Sequence, residues 1–556
     1  MNLMEAIEGN KQVLLVNITR MGDLIQMIPL IKRLDREWPG VSIDLVIDSA
    51  FTDVARLLPG LRHVWTYNFQ ALMDDSRARA RDVVALYREM AAWAKPIQAI
   101  GYDRVINLTF NRRSAYFVAY LDAPDVRGLT TAPDGSVIVR NPWLGYFADL
   151  HAYRRLNRWN LVDLYALGGS GIGPFDTITL TVPEEARSWA SAFLHAQGRV
   201  SRWIAVQVGA SDVMKAWRPE SFGRTMAMIG RAADVGFILI GSPQEAGAAR
   251  EAVATYRAAG GTAVLASALG RTTVSQLAAL LSHCALMLTN DTGPMHIGVG
   301  VGIPVVALSV GHVDVWETGP YGPGHWVIQP DIACGPCGFD QVCPHQTCKD
   351  HVLPEQVAAV CLHALQYGPM PTAWSRARLY QSGIDRDGLG TFFLRAGSEN
   401  PLFNWYGRFW RRVWFELFTG RSSEELPPEE HPPDYHHARE VYEHLLPILG
   451  SLRLTAEEMT RVCRQRRLPV EALKDLHARM TTLIHDAQRF GRECLAFSPV
   501  TIALMRELHN LSSVSLEAMI REQEQAIVEW QRRIHVIGRR FHFHSSTRSA
   551  CYASTA

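Results

Sequence analysis

The chain has 556 residues, enough for two or three domains, of which 47% are hydrophobic and 20% charged. This balance is typical of a globular protein, and a net charge of +1 gives no overall field that would favour nucleic acid as a partner. The first residues show no basic-then-apolar signal pattern, and no apolar run is long enough to span a bilayer. We therefore expect a cytoplasmic protein whose nine cysteines are thiols or metal ligands rather than a disulfide framework.

Strand-like and helix-like stretches alternate in the first part of the chain. Short apolar runs at 12–18, 41–48 and 103–108 are typical of strands, and helix-like stretches follow the first and the third. Strands that alternate with helices predict βαβ units around a parallel sheet. We assign residues 1–180 to a first Rossmann-like α/β domain, although its end falls in a more variable stretch, about 111–200.

The same alternation restarts at Trp203 and predicts a second α/β domain over 181–369. Its predicted strands are 203–211, 236–242, 262–267, 285–291 and 304–310. Ligands of parallel sheets lie beyond the carboxyl ends of the strands. Three polar segments follow predicted strands in this way, namely 19–23, 209–215 and 290–296.

The composition changes after about residue 370. An aromatic and basic stretch leads to an acidic, Pro-rich linker at 421–437, and helical periodicity continues from 438 to about 540. We predict a mainly helical extension over 370–556 whose role the sequence does not show. For the basic end, 531–548, a solvated helix end and tail is favoured over contact with anionic lipid.

The stretch "LTNDTGPMHIGVG" leaves a strand through a polar turn and enters a helix. Asp291 or Thr292 suits a helix cap, and Pro294 suits the first turn. A helix start also presents free N–H groups and a positive dipole end to a phosphate. Gly293 would let a ligand approach the backbone, and His296 would donate to a phosphate oxygen. An ordinary capped helix is the alternative.

Two further turns carry charged candidates. Ser211 and Lys215 follow a strand end in a polar loop, where a lysine suits a phosphate as a mobile point charge. Asp23 begins the first helix after Met21 and Gly22, and a carboxylate there suits proton abstraction from an attacking hydroxyl. The alternatives are a solvated surface lysine and an aspartate that only stabilises its helix.

Four cysteines lie within fifteen residues in the loop 333–351. Cys334, Cys337, Cys343 and Cys348 have the spacing C-x2-C-x5-C-x4-C. Four thiolates can close a tetrahedral site on zinc or iron, and His345 is a substitute ligand. Such a site would be structural, while reduced thiols or local disulfides are the alternatives.

Five segments, taken in order, resemble the heptosyltransferases of glycosyltransferase family 9. They are "VLLVNITRMGDLIQMIPLIKRL", "VQVGASDVMKAWRPESF", "LGRTTVSQLAALLSHCALMLTNDTGPMHIGVGVGIPVVAL", "TGPYGPGHWVI" and "CGPCGFDQVCPHQTC". The resemblance covers roughly residues 11–366. It implies a GT-B fold, in which two Rossmann-like domains face each other across a cleft, here followed by the mostly α-helical C-terminal extension.

The resemblance also implies a reaction and roles for residues. The family moves a heptose from ADP-heptose to an acceptor hydroxyl, with inversion and without a required divalent metal. Its proposed general base corresponds to Asp23, its phosphate-binding lysine to Lys215, and a phosphate-contacting hydroxyl to Ser211. Met21 and Gly22 form a turn that would touch substrate. Its donor-binding motif corresponds to Asp291, Thr292, Gly293 and His296.

The resemblance leaves two kinds of acceptor open, because the extension after about 370 is not part of the usual two-domain enzyme. Most members glycosylate lipopolysaccharide core. Other members put heptose on proteins, and this chain resembles them in its cysteine-rich loop, which in those members is said to bind iron. We therefore keep two acceptors, a glycan and a protein Ser/Thr. The first would place the enzyme at the periphery of the inner membrane, and the second would favour an oligomer. Gln207 also stands where many members have histidine.

Two other functions stay open at this level. A GT-B-fold nucleotide-sugar epimerase would share the phosphate cradle but would need no acceptor. A non-catalytic scaffold braced by a metal would need neither the phosphate cradle nor an acceptor. The intact set of candidate site residues argues against a decayed cleft.

Overall fold

The computed structural model describes residues 10–70, 83–171, 176–339, 341–372, 374–421, 432–465, 467, 469–513 and 515–540. The chain divides into two compact units. The first consists of Met1–Thr130, Arg140–Phe147 and Arg158–Glu399, and the second of Thr131–Val139, Ala148–Asn157 and Asn400–Ala556.

A parallel sheet forms the first half of the first unit. Strands β1 to β5 run in the order β3-β2-β1-β4-β5, and the apolar run of β1 is almost completely buried. The strands are β1 (Gln12–Val16), β2 (Ser42–Asp48), β3 (His63–Tyr67), β4 (Arg104–Asn107) and β5 (Asp125–Thr131), with β6 (Val137–Arg140) next in the chain. The helices are α1 (Met21–Gln26), α2 (Ile28–Glu37), α3 (Thr52–Ala55), α4 (Val83–Gln98), α5 (Arg112–Leu121), α6 (Pro142–Asp149) and α7 (Leu161–Ser170).

A second, eight-stranded sheet has the order β14-β13-β12-β11-β10-β7-β8-β9. Strands β7 to β12 are parallel, so the α/β prediction is confirmed for both halves. The strands are β7 (Trp203–Gln207), β8 (Gly236–Ile240), β9 (Leu265–Ser267), β10 (Cys284–Asn290), β11 (Val305–Leu308), β12 (Trp326–Pro330), β13 (Ala377–Ile384) and β14 (Gly390–Ala396). The helices are α8 (Glu184–His195), α9 (Pro219–Ala232), α10 (Ala246–Ala258), α11 (Val274–Ser282), α12 (Gly293–Gly300), α13 (Val315–Thr318) and α14 (Pro354–Ala364).

The strands β13 and β14 differ from the expected start of a helical extension at residue 370. They form an antiparallel hairpin that continues the second sheet, with Leu379 opposite Ile328 of β12. A tight turn joins them, in which the N–H of Asp385 donates to the carbonyl of Leu389 over 2.8 Å. The unpaired edge of β12 accounts for this difference, because it offers main-chain partners that a local helical pattern does not reveal. The first unit therefore runs to Glu399. The boundary near residue 180 stays a prediction.

Both parallel sheets reverse their strand order at one point. The chain leaves β1 towards β2 and β3 on one side and returns to β4 and β5 on the other. The second sheet does the same, since β8 and β9 lie on one side of β7 and β10 to β12 on the other. Ligand sites of open parallel sheets lie at such switch points. The polar turns after β1, β7 and β10 all begin there.

Among the residues that the structure describes between 401 and 540, the second unit contains five helices of twelve residues or more, so the predicted helical character is confirmed for this part of the chain. They are α15 (Pro401–Thr419), α16 (Tyr435–Cys463), α17 (Val470–Glu493), α18 (Ser498–His509) and α19 (Leu516–Arg540). Their core is rich in tryptophan, and the rings of Trp414 and Trp530 lie 6.2 Å apart. Most of the predicted linker at 421–437 and the last part of the basic end at 531–548 lie outside the described residues.

Two short segments from the first half of the chain complete the second unit. Arg506 donates to the Asp149 carboxylate over 2.7 Å, and both side chains are only 11% exposed. The Asn510 amide exchanges hydrogen bonds of 2.9 and 3.0 Å with the main chain of Val139. The helical unit is therefore not simply an appended C-terminal piece. None of its described helices, nor any other described helix, is long and apolar enough to cross a membrane.

Candidate functional site

The helix that follows β10 begins without a side-chain cap. Thr292 is the N-cap residue of α12, yet its side chain makes no capping hydrogen bond, and Pro294 occupies the first turn as expected. The Thr292 hydroxyl instead donates to Oε1 of Gln207 over 2.6 Å. The Asp291 carboxylate is 4% exposed and accepts a 2.7 Å hydrogen bond from the Thr318 hydroxyl. The interpretation as an ordinary side-chain cap is therefore wrong, because the Thr292 hydroxyl does not bond to the first N–H groups of the helix.

Two glycines bring α1 and α12 into close contact. A Cβ atom on Gly22 would lie 3.0 Å from Cδ2 of His296, and one on Gly293 would lie 2.3 Å from Cε of Met21. Neither glycine has a positive φ, so it is the close approach that favours a residue without a side chain. The turn after β1 and the turn after β10 thus meet directly. This contact joins four of the residues that the sequence singled out.

The Asp23 carboxyl lies on the first turn of α1. Burial raises its pKa to about 6, against the opposing effects of the Arg20 charge, a hydrogen bond with the Thr19 side chain and the charge of Lys215. A carboxyl with this pKa is mostly ionised at neutral pH, yet it is a stronger base than an exposed aspartate. Tyr165 lies near it, since the Asp23 charge helps burial to raise the pKa of that phenol.

The positive charge of Lys215 reaches groups on both sides of this contact. Burial raises the pKa of Asp291 to about 6, and Thr318 and Lys215 lower it in part. Burial lowers the pKa of His296 to about 3, and the Lys215 charge lowers it further, so this imidazole is neutral. Its Nδ1 atom is buried without a hydrogen-bond partner among the described residues. A neutral imidazole and a lysine together suit recognition of an anion.

A buried amide ties the Lys215 loop to the end of β10. Asn290 is completely buried, and its Nδ2 donates to the carbonyls of Val208 and Gly209 over 2.9 and 3.0 Å. Its Oδ1 accepts from the N–H of Trp217 over 2.9 Å. One side chain therefore connects the segments before and after Lys215. The turn Val213–Lys215 is a single 3-10 turn, and Ser211 before it is exposed.

Sequence reasoning missed Asn290 and gave no role to Gln207. The Gln207 oxygen accepts from the hydroxyls of Thr289 and Thr292 over 2.9 and 2.6 Å. Asn290 stood in the quoted Asn-Asp-Thr-Gly turn, but only tertiary structure shows which chain segments it joins. Thr318 and Tyr165 were missed because their contacts are distant in sequence.

The four cysteines of the loop 333–351 form no disulfide with one another or with the other described cysteines. Burial raises the pKa of Cys348, and the charges of Cys343 and Cys334 add to this rise, so three of the thiols lie within electrostatic range. The donor set suits zinc or iron. Among the described residues, however, no three His, Cys, Asp or Glu side chains are arranged to hold a metal ion. The metal therefore stays a prediction, and no chemistry is derived from it.

Comparison with known proteins agrees with this fold. Residues 90–348 match the profile of glycosyltransferase family 9 (heptosyltransferase). The α/β region is therefore similar to the glycosyltransferases of family 9. The chain is accordingly a glycosyltransferase, and the expected α/β fold of the GT-B type is confirmed.

The matches to two curated relatives extend over most of the length of each relative. Lipopolysaccharide heptosyltransferase 1 of Pseudomonas aeruginosa is 24% identical over 353 residues, which is 61% of this chain and 89% of the relative. Lipopolysaccharide heptosyltransferase 3 of Escherichia coli is 22% identical over 52% of this chain and 79% of the relative. The structure of a family 9 glycosyl transferase from Veillonella parvula is 22% identical, has a TM-score of 0.50, and covers 65% of this chain and 100% of that one. This last likeness supports the fold alone.

The Asn290 hub leads to a stability prediction. Replacing Asn290 with Ala leaves two carbonyls and one N–H without their partner, and we expect a loss of roughly 2–4 kcal/mol in the free energy of unfolding. Thermal and urea unfolding of the purified variant measure it. The matched control is Asn404→Ala on α15, whose half-buried side chain belongs to the second unit. An equal, small effect of both changes would show that the Asn290 hydrogen bonds do not hold the loop.

Proposed function

We propose that this glycosyltransferase moves a heptose from an ADP-activated donor to an acceptor hydroxyl with inversion. The observation that carries the proposal is the position of Lys215, whose charge acts on Asp23 of the first half and on Asp291 and His296 of the second. A base and an anion-binding group thus lie close together at two strand switch points. The names of the heptosyltransferase relatives support heptose as the sugar.

The chemistry follows from the charges of these groups. Asp23 would take the proton from the acceptor hydroxyl as its oxygen forms a bond to the anomeric carbon. The bond from that carbon to the diphosphate would break on the opposite face, and ADP would leave with the bonding electrons. Lys215 and the uncapped start of α12 would stabilise the negative charge on ADP. His296, held neutral, would donate a hydrogen bond there without adding charge. This step needs no divalent metal.

The acceptor is either a glycan of the lipopolysaccharide core or a protein Ser/Thr hydroxyl. Cytoplasmic location, peripheral membrane association and an oligomer stay predictions. Epimerisation and a scaffold without catalysis become outcomes of the experiments below, because no contact of the described residues favours either.

Donor binding tests the role of Lys215. We expect ADP-heptose to bind in preference to GDP-mannose and UDP-glucose, and Lys215→Met to weaken ADP binding roughly tenfold or more, because a charge-assisted contact is lost. Isothermal titration calorimetry measures this, with exposed Lys95→Met of the same unit as the matched control. ADP release is then followed with and without a bacterial extract as acceptor source.

The possible results separate the competing functions. ADP release that depends on the extract supports a transferase. A changed nucleotide sugar without any acceptor would identify an epimerase. Binding of none of the three donors would contradict the ADP-heptose assignment and revive the scaffold.

The raised pKa of Asp23 predicts a pH profile. The base acts in its ionised form, so kcat/KM should rise with pH and reach half of its plateau near pH 6, with loss of activity as the carboxyl is protonated below that value. Asp23→Asn should lower kcat by roughly a hundredfold to ten-thousandfold and remove this step. Initial rates of ADP release between pH 5 and about 8 measure it.

Asp291 is the control for that assignment, because the pKa of its carboxyl is also about 6. Asp291→Asn should keep the acidic limb of the profile, although donor binding changes. If the acidic limb disappears in Asp291→Asn and persists in Asp23→Asn, the titrating carboxyl is Asp291, and the role of Asp23 as the base is contradicted.

We also propose that the four cysteines bind a structural zinc or iron, which would require the loop to draw the thiols together. The purified protein should then hold about one metal ion per chain by mass spectrometry of the elements. Double replacement of Cys343 and Cys348 with Ser should remove it, whereas Cys463→Ser in the second unit should not. An unchanged metal content in the double variant would exclude this site.

A further inference from the structure

The chain that follows the four cysteines packs against the turn that carries Lys215. We call residues 346–352 the brace segment. Within it, Lys349 is only 4% exposed, and its Nζ donates to the carbonyl of Val213 over 2.7 Å and to Oε1 of Gln346 over 2.6 Å. Val213 is the first residue of the 3-10 turn that ends at Lys215. The buried ammonium of Lys349 therefore donates a hydrogen bond to the main chain of the turn that carries Lys215.

Other contacts hold the brace segment at the far end of the same loop. The indole N–H of Trp217 donates to the carbonyls of Lys349 and Val352 over 3.0 and 3.2 Å. Arg218 forms an ion pair with Asp350, in which Nη2 and Oδ2 lie 2.9 Å apart. The brace segment thus contacts the loop on both sides of Lys215.

The turn itself has few hydrogen bonds of its own. The N–H groups of Lys215 and Ala216 donate to the carbonyls of Asp212 and Val213, each over 3.2 Å, and the Met214 N–H donates to the Asp212 carboxylate over 2.8 Å. Its back lies against Gly311, where a Cβ atom would be 2.2 Å from the Met214 carbonyl oxygen. A single turn with so little internal support takes its shape from its neighbours.

We propose that Lys349 is a positioning residue for Lys215. By holding the Val213 carbonyl, its ammonium fixes the turn so that the Lys215 side chain is presented to the diphosphate of the donor. This inference rests on the proposed function of Lys215 in donor binding. The hydrogen-bond acceptors of Lys349 are both uncharged, so its buried ammonium depends on the Val213 carbonyl and the Gln346 side chain for its hydrogen bonds.

The experiment compares Lys349→Met with Lys215→Met and the exposed control Lys95→Met. Calorimetry with ADP gives affinity, and steady-state rates with ADP-heptose give kcat and KM separately. We expect Lys349→Met to weaken ADP binding and raise the donor KM roughly tenfold, because the turn is no longer held in the binding conformation. Its kcat should stay within about threefold, since the base and acceptor are untouched.

Two further variants disturb the turn by different routes and keep the test decisive if Lys349→Met does not fold. Gly311→Ala pushes on the Met214 carbonyl at a residue whose φ is +73°. It should reproduce the rise in donor KM with Lys349 in place. Gln346→Ala removes only the second acceptor of Lys349 and should have a smaller effect in the same direction. Thermal unfolding of each variant shows whether it is folded.

The results distinguish this inference from the proposed function. If Lys215→Met weakens ADP binding while Lys349→Met, Gly311→Ala and Gln346→Ala bind ADP as the unsubstituted protein does, the positioning role is wrong and the donor site stands. If Lys215→Met itself leaves ADP binding unchanged, the proposed function of Lys215 is wrong. If Lys349→Met lowers kcat as well as raising the donor KM, and its thermal stability is lower, the change has damaged the structure in general. That result would contradict specific positioning.

Discussion

The close contact between α1 and α12 is the constraint on which the candidate site depends. It exists because Gly22 and Gly293 have no side chains where His296 and Met21 need space. Each helix starts at a point where its sheet reverses strand order, so the contact joins the two switch points, which are where ligands of open parallel sheets generally lie. A larger residue at either glycine would separate the groups on the two turns. The groups of the two halves could then no longer act on the same bound molecule.

The shifted pKa values of its buried groups are the second property of the site. Burial brings two carboxyls, Asp23 and Asp291, to a pKa of about 6 on either side of one lysine, while His296 is kept neutral. Groups whose environments move their pKa values in opposite directions are typical of sites with assigned acid, base and binding roles. Lys215 is the shared element, since it stabilises both carboxylates and disfavours a charged imidazole. The donor diphosphate would replace those carboxylates as its main anionic partner.

Such a lysine is useful only if its turn keeps one shape. Asn290 holds the loop from the strand side, and Lys349 holds it from the chain that follows the cysteines. Both supports are buried polar groups that satisfy main-chain atoms, so each acts on the backbone rather than on the Lys215 side chain. The cysteine loop, which the sequence presented as a separate metal motif, is thereby joined to the turn that carries Lys215. The second unit is assembled separately, from α15 to α19 and two segments of the first half.

The sequence alone determined the α/β fold, most strands of the parallel sheets, the family resemblance and the turn residues Met21, Gly22, Gly293 and His296 that meet in the structure, because buried strands and glycine turns leave local patterns. It did not reveal β13 and β14, whose pairing depends on the free edge of β12, nor the parts of the first half that join the helical unit. Tertiary structure also decided that Thr292 does not cap its helix but bonds to Gln207. It likewise gave Asn290 and Lys349 their roles. In each case the partners lie many residues apart, and only the folded chain determines which donor reaches which carbonyl.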